Sequence, residues 1–320
     1  MRLAILDLGT NTFHLLIVEV DSKGESKTIF KSKRTVKLGE GAIHRQLIDA
    51  VPFERGLKAM IGFAGIIKEY GVDRVAGFAT SAIRSATNGK LFITEIYRHT
   101  DLRIKTISGL QEARLIYHGV RQCMPIGRQP VLIMDIGGGS TEFIVANGNR
   151  IFWKHSFDIG AARLLELFPP SNPISDSEIR QINRFLDREL QPLQVALKKF
   201  PVNRLVGASG SFETLAEMMG WRFHKRNNAK RVKSLLLDLK EYETIHQLLL
   251  RSTTAQRMKM KGLVKMRVDM IIPASICTKY VLKKFKLQEM VLSKFALKEG
   301  ALWELAGVGQ GKSHKSKVTS

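Results

Sequence analysis

Two apolar runs joined by DIGGGSTE fill Val131–Val145 and leave the chain few ways to fold there. VLIM stops at Asp135, three glycines and Ser140-Thr141-Glu142 follow, and FIV resumes. That order predicts a strand, a tight turn and a returning strand. Consecutive glycines let the backbone bend closely and present successive N–H groups to an anion. Asp135 and Glu142 bracket the turn with carboxylates, a pattern suited to phosphate held through a divalent metal.

The pattern recurs near the N-terminus as LAILDLGTNTFHLLIV. Placing Asp7 on Asp135 puts Gly9 on Gly137, Thr12 on Ser140 and His14 on Glu142. Asp-x-Gly alone is a weak signal that two unrelated hairpins would also show. Agreement in order, spacing and strand context favours a duplication instead. A duplicated phosphate-gripping hairpin implies two similar halves facing one another across a cleft.

A chain of 320 residues can bury a large core and divides most naturally into two domains. Glycine and proline around Pro125–Pro130 set the expected boundary, giving domains 1–125 and 126–305. The 44% hydrophobic content argues for a globular protein. Apolar runs such as Ile271–Ile276 are short, so no transmembrane helix is expected, and Asp7 and Asn11 interrupt any signal-peptide core. Cys123 and Cys277 are the only cysteines, which points to a reducing cytoplasm. Lys plus Arg is 51 against 29 Asp plus Glu, a formal +22 that attracts polyanions. Nucleic acid, a polyphosphate chain and a highly charged nucleotide all answer to such a field, as does a basic surface without a dedicated ligand.

Other candidates sit where strands enter helices. Thr80 and Ser81 precede an expected helix with Arg84 one turn inside it. This is an ordinary cap with a surface arginine, or a helix start and an arginine sharing one phosphoryl group. Glu112 lies one turn beyond Ser108, either as a capping-box residue or as a group that orients water. GASGSFETLAEM at 207–218 offers Gly207, Ser209, Gly210 and Ser211 as a second phosphate or nucleotide bed, or as close packing at a turn. Arg267-Val268-Asp269 stands at another helix entrance, supporting the cleft or the fold alone. A helix from Ser175 is expected to run through Lys199. HKRNNAKRV at 224–232 reads as a basic mobile loop and residues 306–320 as a flexible basic tail, whose GQGKS lacks P-loop spacing.

Taken in order, DLGTNTFHLL (7–16), TSAIRSATNG (80–89), SGLQEARLIYHGV (108–120), DIGGGSTEF (135–143), GASGSFETLAEM (207–218), RVD (267–269) and LKEGAL (297–302) resemble the exopolyphosphatase and guanosine pentaphosphate phosphohydrolase family. The resemblance covers nearly all of the chain except the basic tail. It implies the α/β actin, sugar kinase and Hsp70-like (ribonuclease H-like) fold: two related domains, an active cleft between them, and a last helix near 296–305 bracing the first domain. Longer members carry additional C-terminal helical domains; this chain is similar to the compact two-domain form.

The activity implied is hydrolysis of a terminal phosphoanhydride, releasing orthophosphate from inorganic polyphosphate or from the 5′ end of guanosine pentaphosphate (pppGpp). Position by position, Glu112 becomes the base for water. Asp135 and Glu142, with Asp7, come near Mg²⁺, while Asn11, Thr12, Arg84, Gly138, Gly139 and Ser140 hold the terminal phosphoryl group. Gly207, Ser209, Gly210, Ser211 and Arg267 remain candidates for a polyanion or nucleotide in the second domain. A homodimer is compatible with the resemblance, and no specific nucleic acid or membrane partner is expected. The sequence departs from the family at Gln111, where a second acid is usual, and at Pro273-Ala274, where a glycine is usual. A catalytically weak sensor of polyphosphate or of guanosine alarmones is therefore a competing expectation.

Overall fold

The computed structural model describes residues 1–21, 25–41, 43–225 and 232–306. Parts of the basic segment 224–232 and of the tail 306–320 lie outside the described residues, namely 226–231 and 307–320. The strands are β1 (Arg2–Leu8), β2 (Thr12–Val20), β3 (Ser26–Thr35), β4 (Arg74–Ala79), β5 (Ile104–Thr106), β6 (Val131–Ile136), β7 (Thr141–Ala146), β8 (Ile151–Phe157), β9 (Arg204–Ala208), β10 (Ser234–Leu237) and β11 (Glu289–Ser293). Between and after them run helices α1 (Ala50–Glu69), α2 (Ser81–Ser85), α3 (Gly89–Thr100), α4 (Gly109–Cys123), α5 (Ala161–Leu167), α6 (Asp176–Glu189), α7 (Gln191–Lys199), α8 (Ser209–Phe223), α9 (Leu239–Leu250), α10 (Thr254–Arg257), α11 (Ile271–Lys284) and α12 (Leu297–Leu305). Among the described residues no helix is long and apolar enough to cross a membrane.

The duplication extends from the hairpin to the sheet. One sheet runs β3-β2-β1-β4-β5 and the other β10-β11-β9-β6-β7-β8. Within each, an antiparallel hairpin (β1–β2, β6–β7) is followed by parallel neighbours (β4 then β5, β9 then β11). The register pairs Asp7 with His14 and Asp135 with Glu142. The segment 286–293 was not expected as a strand. EMVLS is only five residues long, but it is buried between β9 and β10.

Alternate residues of one strand feed different cores, which explains why VLIM is continuously apolar. Leu132, Met134 and Ile136 face α5, α6, α8, α9 and α11. Val131 and Ile133 join Leu3 and Ile5 of the other sheet around α4 and α12. Ala4, Leu6 and Leu8 face α1 and α3, with Met60, Phe63 and Phe92. Strand parity therefore turns Asp7 and Asp135, each two residues past Ile5 or Ile133, toward the layer that holds α4 and α12.

Local chemistry sets the helix ends. Ser108 caps α4, and the reciprocal partner is Gln111: its N–H reaches Ser108 Oγ (3.2 Å), and its Oε1 accepts from Ser108 N (3.0 Å). A capping box accepts Gln as readily as Glu, so Glu112 is left free of the cap. The helix expected from Ser175 through Lys199 breaks at Leu190, because Pro192 has no N–H to continue the ladder and instead opens α7. Pro273 lies in the first turn of α11, where the missing donor is unneeded.

Helices α4 and α12 touch backbone to backbone. A Cβ on Gly119 would lie 1.9 Å from the Ala296 carbonyl oxygen, and one on Gly300 1.8 Å from that of Leu115. Gly300→Ala should therefore destabilise the protein by roughly 1–3 kcal/mol through overpacking. Urea unfolding measures this, and a change within 0.5 kcal/mol, the ordinary range of a surface substitution, would show that the two helices are not in this contact.

Candidate active site

A cavity of about 500 Å³ is lined by both hairpin turns, the start of α2, Glu112 of α4, the start of α8, Met266, Arg267, Met270, Ile271 and the start of α12. The second turn is shaped from behind. The N–H groups of Ala161 and Ala162 donate to the carbonyls of Gly137 and Gly138 (2.9 Å each), and Arg163 N donates to Gly138 O (3.1 Å). Arg163 Nε holds the Gly139 carbonyl at 3.0 Å. In a planar trans peptide the N–H opposes the carbonyl. Drawing these carbonyls back presents the amides of Gly138, Gly139 and Ser140 to the cavity side, where an anion can accept from them.

The two turns are pressed together. A Cβ on Gly138 would meet Asn11 Nδ2 at 2.4 Å, and one on Gly139 would meet Ser81 Oγ at 2.6 Å and Thr10 Oγ1 at 2.8 Å. Each turn closes alike, Gly9 N on Thr12 O (3.2 Å) and Gly137 N on Ser140 O (3.0 Å). Asn11, Thr12, Gly138, Gly139 and Ser140 all line the cavity, and Asn11 Nδ2 reaches Met270 Sδ across it at 3.0 Å.

The acids converge at the strand ends. Asp7 and Asp135 border the cavity, and burial raises each pKa to about 6. Lys298 opposes the shift at Asp7, while Asp135 and Glu299 add to it. The neighbouring Ser209 hydroxyl and the charge of Lys298 oppose it at Asp135. Burial also raises Glu112 to about 7, even though Arg84 Nη1 pairs with its Oε2 at 2.8 Å. Burial, then the charges of Glu112 and Asp135, raise Glu142 well above the carboxylate range, and Ser156 Oγ donates to its Oε1 at 2.6 Å.

Neither Arg84 nor Glu142 is a lining residue. Arg84 stands behind Glu112, with Nη1 also donating to Ile107 O at 3.1 Å, and Glu142 stands behind the second turn. Ser209, Gly210, Ser211 and Arg267 line the cavity, but Gly207 does not. Its Cβ position is filled by the Phe212 ring at 2.1 Å, so Gly207 is a packing glycine, a correction to the expected second bed. Ser209 holds a left-handed φ of 70°, which is strained for a residue with a Cβ, and donates to Ile136 O at 3.1 Å. Arg267 lies over Gly210 and donates to Thr214 Oγ1 at 2.8 Å.

Sequence reading missed Arg163 and Lys298, and took Ser81 no further than the start of a helix that could share a phosphoryl group. Lys298 was visible only as part of LKEGAL. It lines the cavity, where burial works to lower its pKa but Glu299, Asp7, Glu213 and Asp135 outweigh that and raise it.

The donor chemistry fits a divalent cation of the Mg²⁺ type. Among the described residues no group of three or more His, Cys, Asp or Glu side chains forms a ready-made ligand cluster. Mg²⁺ characteristically takes one or two carboxylates plus water and phosphate oxygens, and Asp7 and Asp135 supply two buried carboxylates on one cavity. Both aspartates hold protons in the folded state at pH values where the unfolded chain has released them. Metal-free stability should therefore fall as pH rises from about 4 to about 7, and Mg²⁺ should restore it at pH 7. Thermal unfolding across pH with and without Mg²⁺ checks this, and curves that coincide would remove Mg²⁺ from these residues.

Comparison with known proteins places the chain. Residues 16–307 match the Ppx/GppA phosphatase family. A crystal structure of an exopolyphosphatase from Cytophaga hutchinsonii is similar at 34% identity with a TM-score of 0.93, covering 96% of this chain and 98% of that one. The Aquifex aeolicus member of the Ppx/GppA family is similar at 25% identity with a TM-score of 0.80, over 98% of this chain and 99% of that one. A bifunctional 3-dehydroquinate synthase/phosphatase of Fusobacterium nucleatum is 32% identical over 94% of this chain, which spans 46% of that relative's length. With its paired sheets and paired turns, the chain belongs to the Ppx/GppA phosphatase family.

Proposed function

We propose that the protein hydrolyses the terminal phosphoanhydride of inorganic polyphosphate, releasing orthophosphate. The observation that carries this reading is the Glu112 carboxylate, buried on the wall of a cavity shared by two phosphate-type turns and held by Arg84 at 2.8 Å. A base with a pKa of about 7 is well matched to taking a proton from water near neutrality.

In this reading the turn amides, with Asn11 and Thr12, hold the terminal phosphoryl group, and Glu112 orients water in line with it. The water oxygen bonds to phosphorus as the bridging P–O bond breaks. The water's proton passes to Glu112, and the shortened chain leaves with the bridging oxygen. Arg84 keeps Glu112 in place, and its charge, with the amides, offsets charge gathering on the phosphoryl oxygens. Asp7 and Asp135, with Glu142 behind them, would hold Mg²⁺, which supplies charge neutralisation for phosphate oxygens when bound. The two sheets with their shared inner helix layer then act as two actin-like domains, 1–125 and 126–305, around the cleft, and α12 on β1 and α4 is the brace.

Polyphosphate is favoured over pppGpp because Lys31, Lys33, Arg267, Lys294 and Lys298 line the same cavity, a run of cations suited to successive phosphates. The sensor reading loses support at its two starting points. Gln111 serves the α4 cap and Pro273 starts α11, so neither departure reaches the cavity lining.

Phosphate release from polyphosphate and from pppGpp in parallel, with Mg²⁺, tests the proposal. Release from pppGpp alone would replace polyphosphate as substrate, and metal-dependent binding without release would restore the sensor. Glu112→Gln should bind polyphosphate nearly normally and lose roughly 10²–10⁴-fold in kcat. Near-normal turnover of that variant removes Glu112 as base. The wild-type rate should rise with pH as the Glu112–Glu142 pair ionises, and KM should rise with salt as the cationic lining is screened.

A further inference from the structure

Among the described residues the buried side-chain polar atoms without a hydrogen-bond partner are Ser81 Oγ and Arg163 Nη2. Both belong to the surroundings of one peptide. Arg163 Nε holds the Gly139 carbonyl from behind, and Ser81 Oγ covers the Gly139 Cα from the other half of the molecule. The Arg163 orphan has an electrostatic partner, since its Nη2 stands 3.6 Å from Asp158 Oδ1. Among the described residues Ser81 Oγ has no such partner.

The neighbouring hydroxyls show that this segment can satisfy its polar atoms. Thr80 Oγ1 donates to Leu8 O at 3.2 Å, and Ser85 Oγ donates to Ser81 O at 3.0 Å. Ser81 is 3% exposed yet borders the cavity. A buried hydroxyl without a partner is a standing cost to stability and calls for a reason. Alanine would fill the same space without that cost. The position lies beside the Gly139 and Ser140 amides and one turn before Arg84, so the acceptor that would complete it is an anionic oxygen in the cavity.

We propose that Ser81 is a further phosphoryl-contacting residue, turning its hydroxyl about χ1 from beneath Gly139 to donate to a non-bridging oxygen of the terminal phosphoryl group. The proposal rests on the reading that this cavity receives such a group. It adds a side-chain donor to Asn11 and Thr12 of the first half, opposite the backbone donors of the second turn. A ligand would thereby bridge the two halves.

The test compares wild type, Ser81→Ala and a control, Ser85→Ala, by thermal unfolding, by calorimetric titration with orthophosphate in Mg²⁺, and by kcat/KM on polyphosphate. Ser81→Ala should keep or raise Tm while weakening orthophosphate about tenfold and lowering kcat/KM roughly 10–10²-fold. Ser85→Ala should keep both functional values within twofold, even if Tm falls. Orthophosphate affinity within twofold of wild type in Ser81→Ala overturns the proposal. So does an affinity loss that appears only with a fall in Tm, because the hydroxyl would then be structural. Orthophosphate binding is read without turnover. A wild type that binds orthophosphate but releases none from polyphosphate would remove the hydrolase reading, while the Ser81→Ala affinity ratio would still decide this one.

Discussion

The cavity depends on the close approach of two turns from opposite sheets. At Gly138 and Gly139 even a methyl group would fall within 3 Å of Asn11, Thr10 and Ser81. A third glycine, Gly160, lies against the same turn, with its Cβ position 2.4 Å from the Gly138 carbonyl. Because the turns touch, their donors surround one small volume rather than two separate ones. The carbonyls drawn back by Ala161, Ala162 and Arg163 then set which edge of each peptide that volume sees.

The same closeness explains the electrostatics. Asp7 and Asp135 leave equivalent strand ends on the inner faces of the two sheets, and Glu112 enters from the helix between them. Burial makes each carboxylate reluctant to ionise, and the acids repel one another. In the proposed reaction such a cluster would take up a cation and a proton near neutrality. Lys298 and Arg84 offset part of that charge from within the chain. Such arrangements detract from stability and persist where function needs them.

Much of this is legible in the sequence. Apolar runs ending in Asp, with glycines and hydroxyls after them, carried the two hairpins, their equivalence and the cavity role of Asp7, Asn11, Thr12, Asp135 and Gly138–Ser140, because strand period and turn chemistry are local. Other assignments were not local. Gln111 or Glu112 could each have capped α4, and only the bond made by Gln111 freed Glu112. Gly207 looked like Gly210 in sequence, yet one lies under Phe212 and the other beneath Arg267 at the cavity. The short strand β11 has no turn signature of its own and owes its state to its neighbours on both sides.

Short segments suffice for the paired Asp–Gly hairpins, the α/β class and the residue types suited to phosphate, since periodicity, glycine freedom and hydroxyl chemistry are local properties. Tertiary structure alone decided which of those residues share one volume. It set Arg84 behind Glu112, drew Glu142 back onto Ser156, brought Lys298 between the acids, and left Ser81 without a partner at the Gly139 peptide. The reason is physical: burial and distance fix a side chain's charge, partners and access, and both arise only when segments distant in the chain pack together.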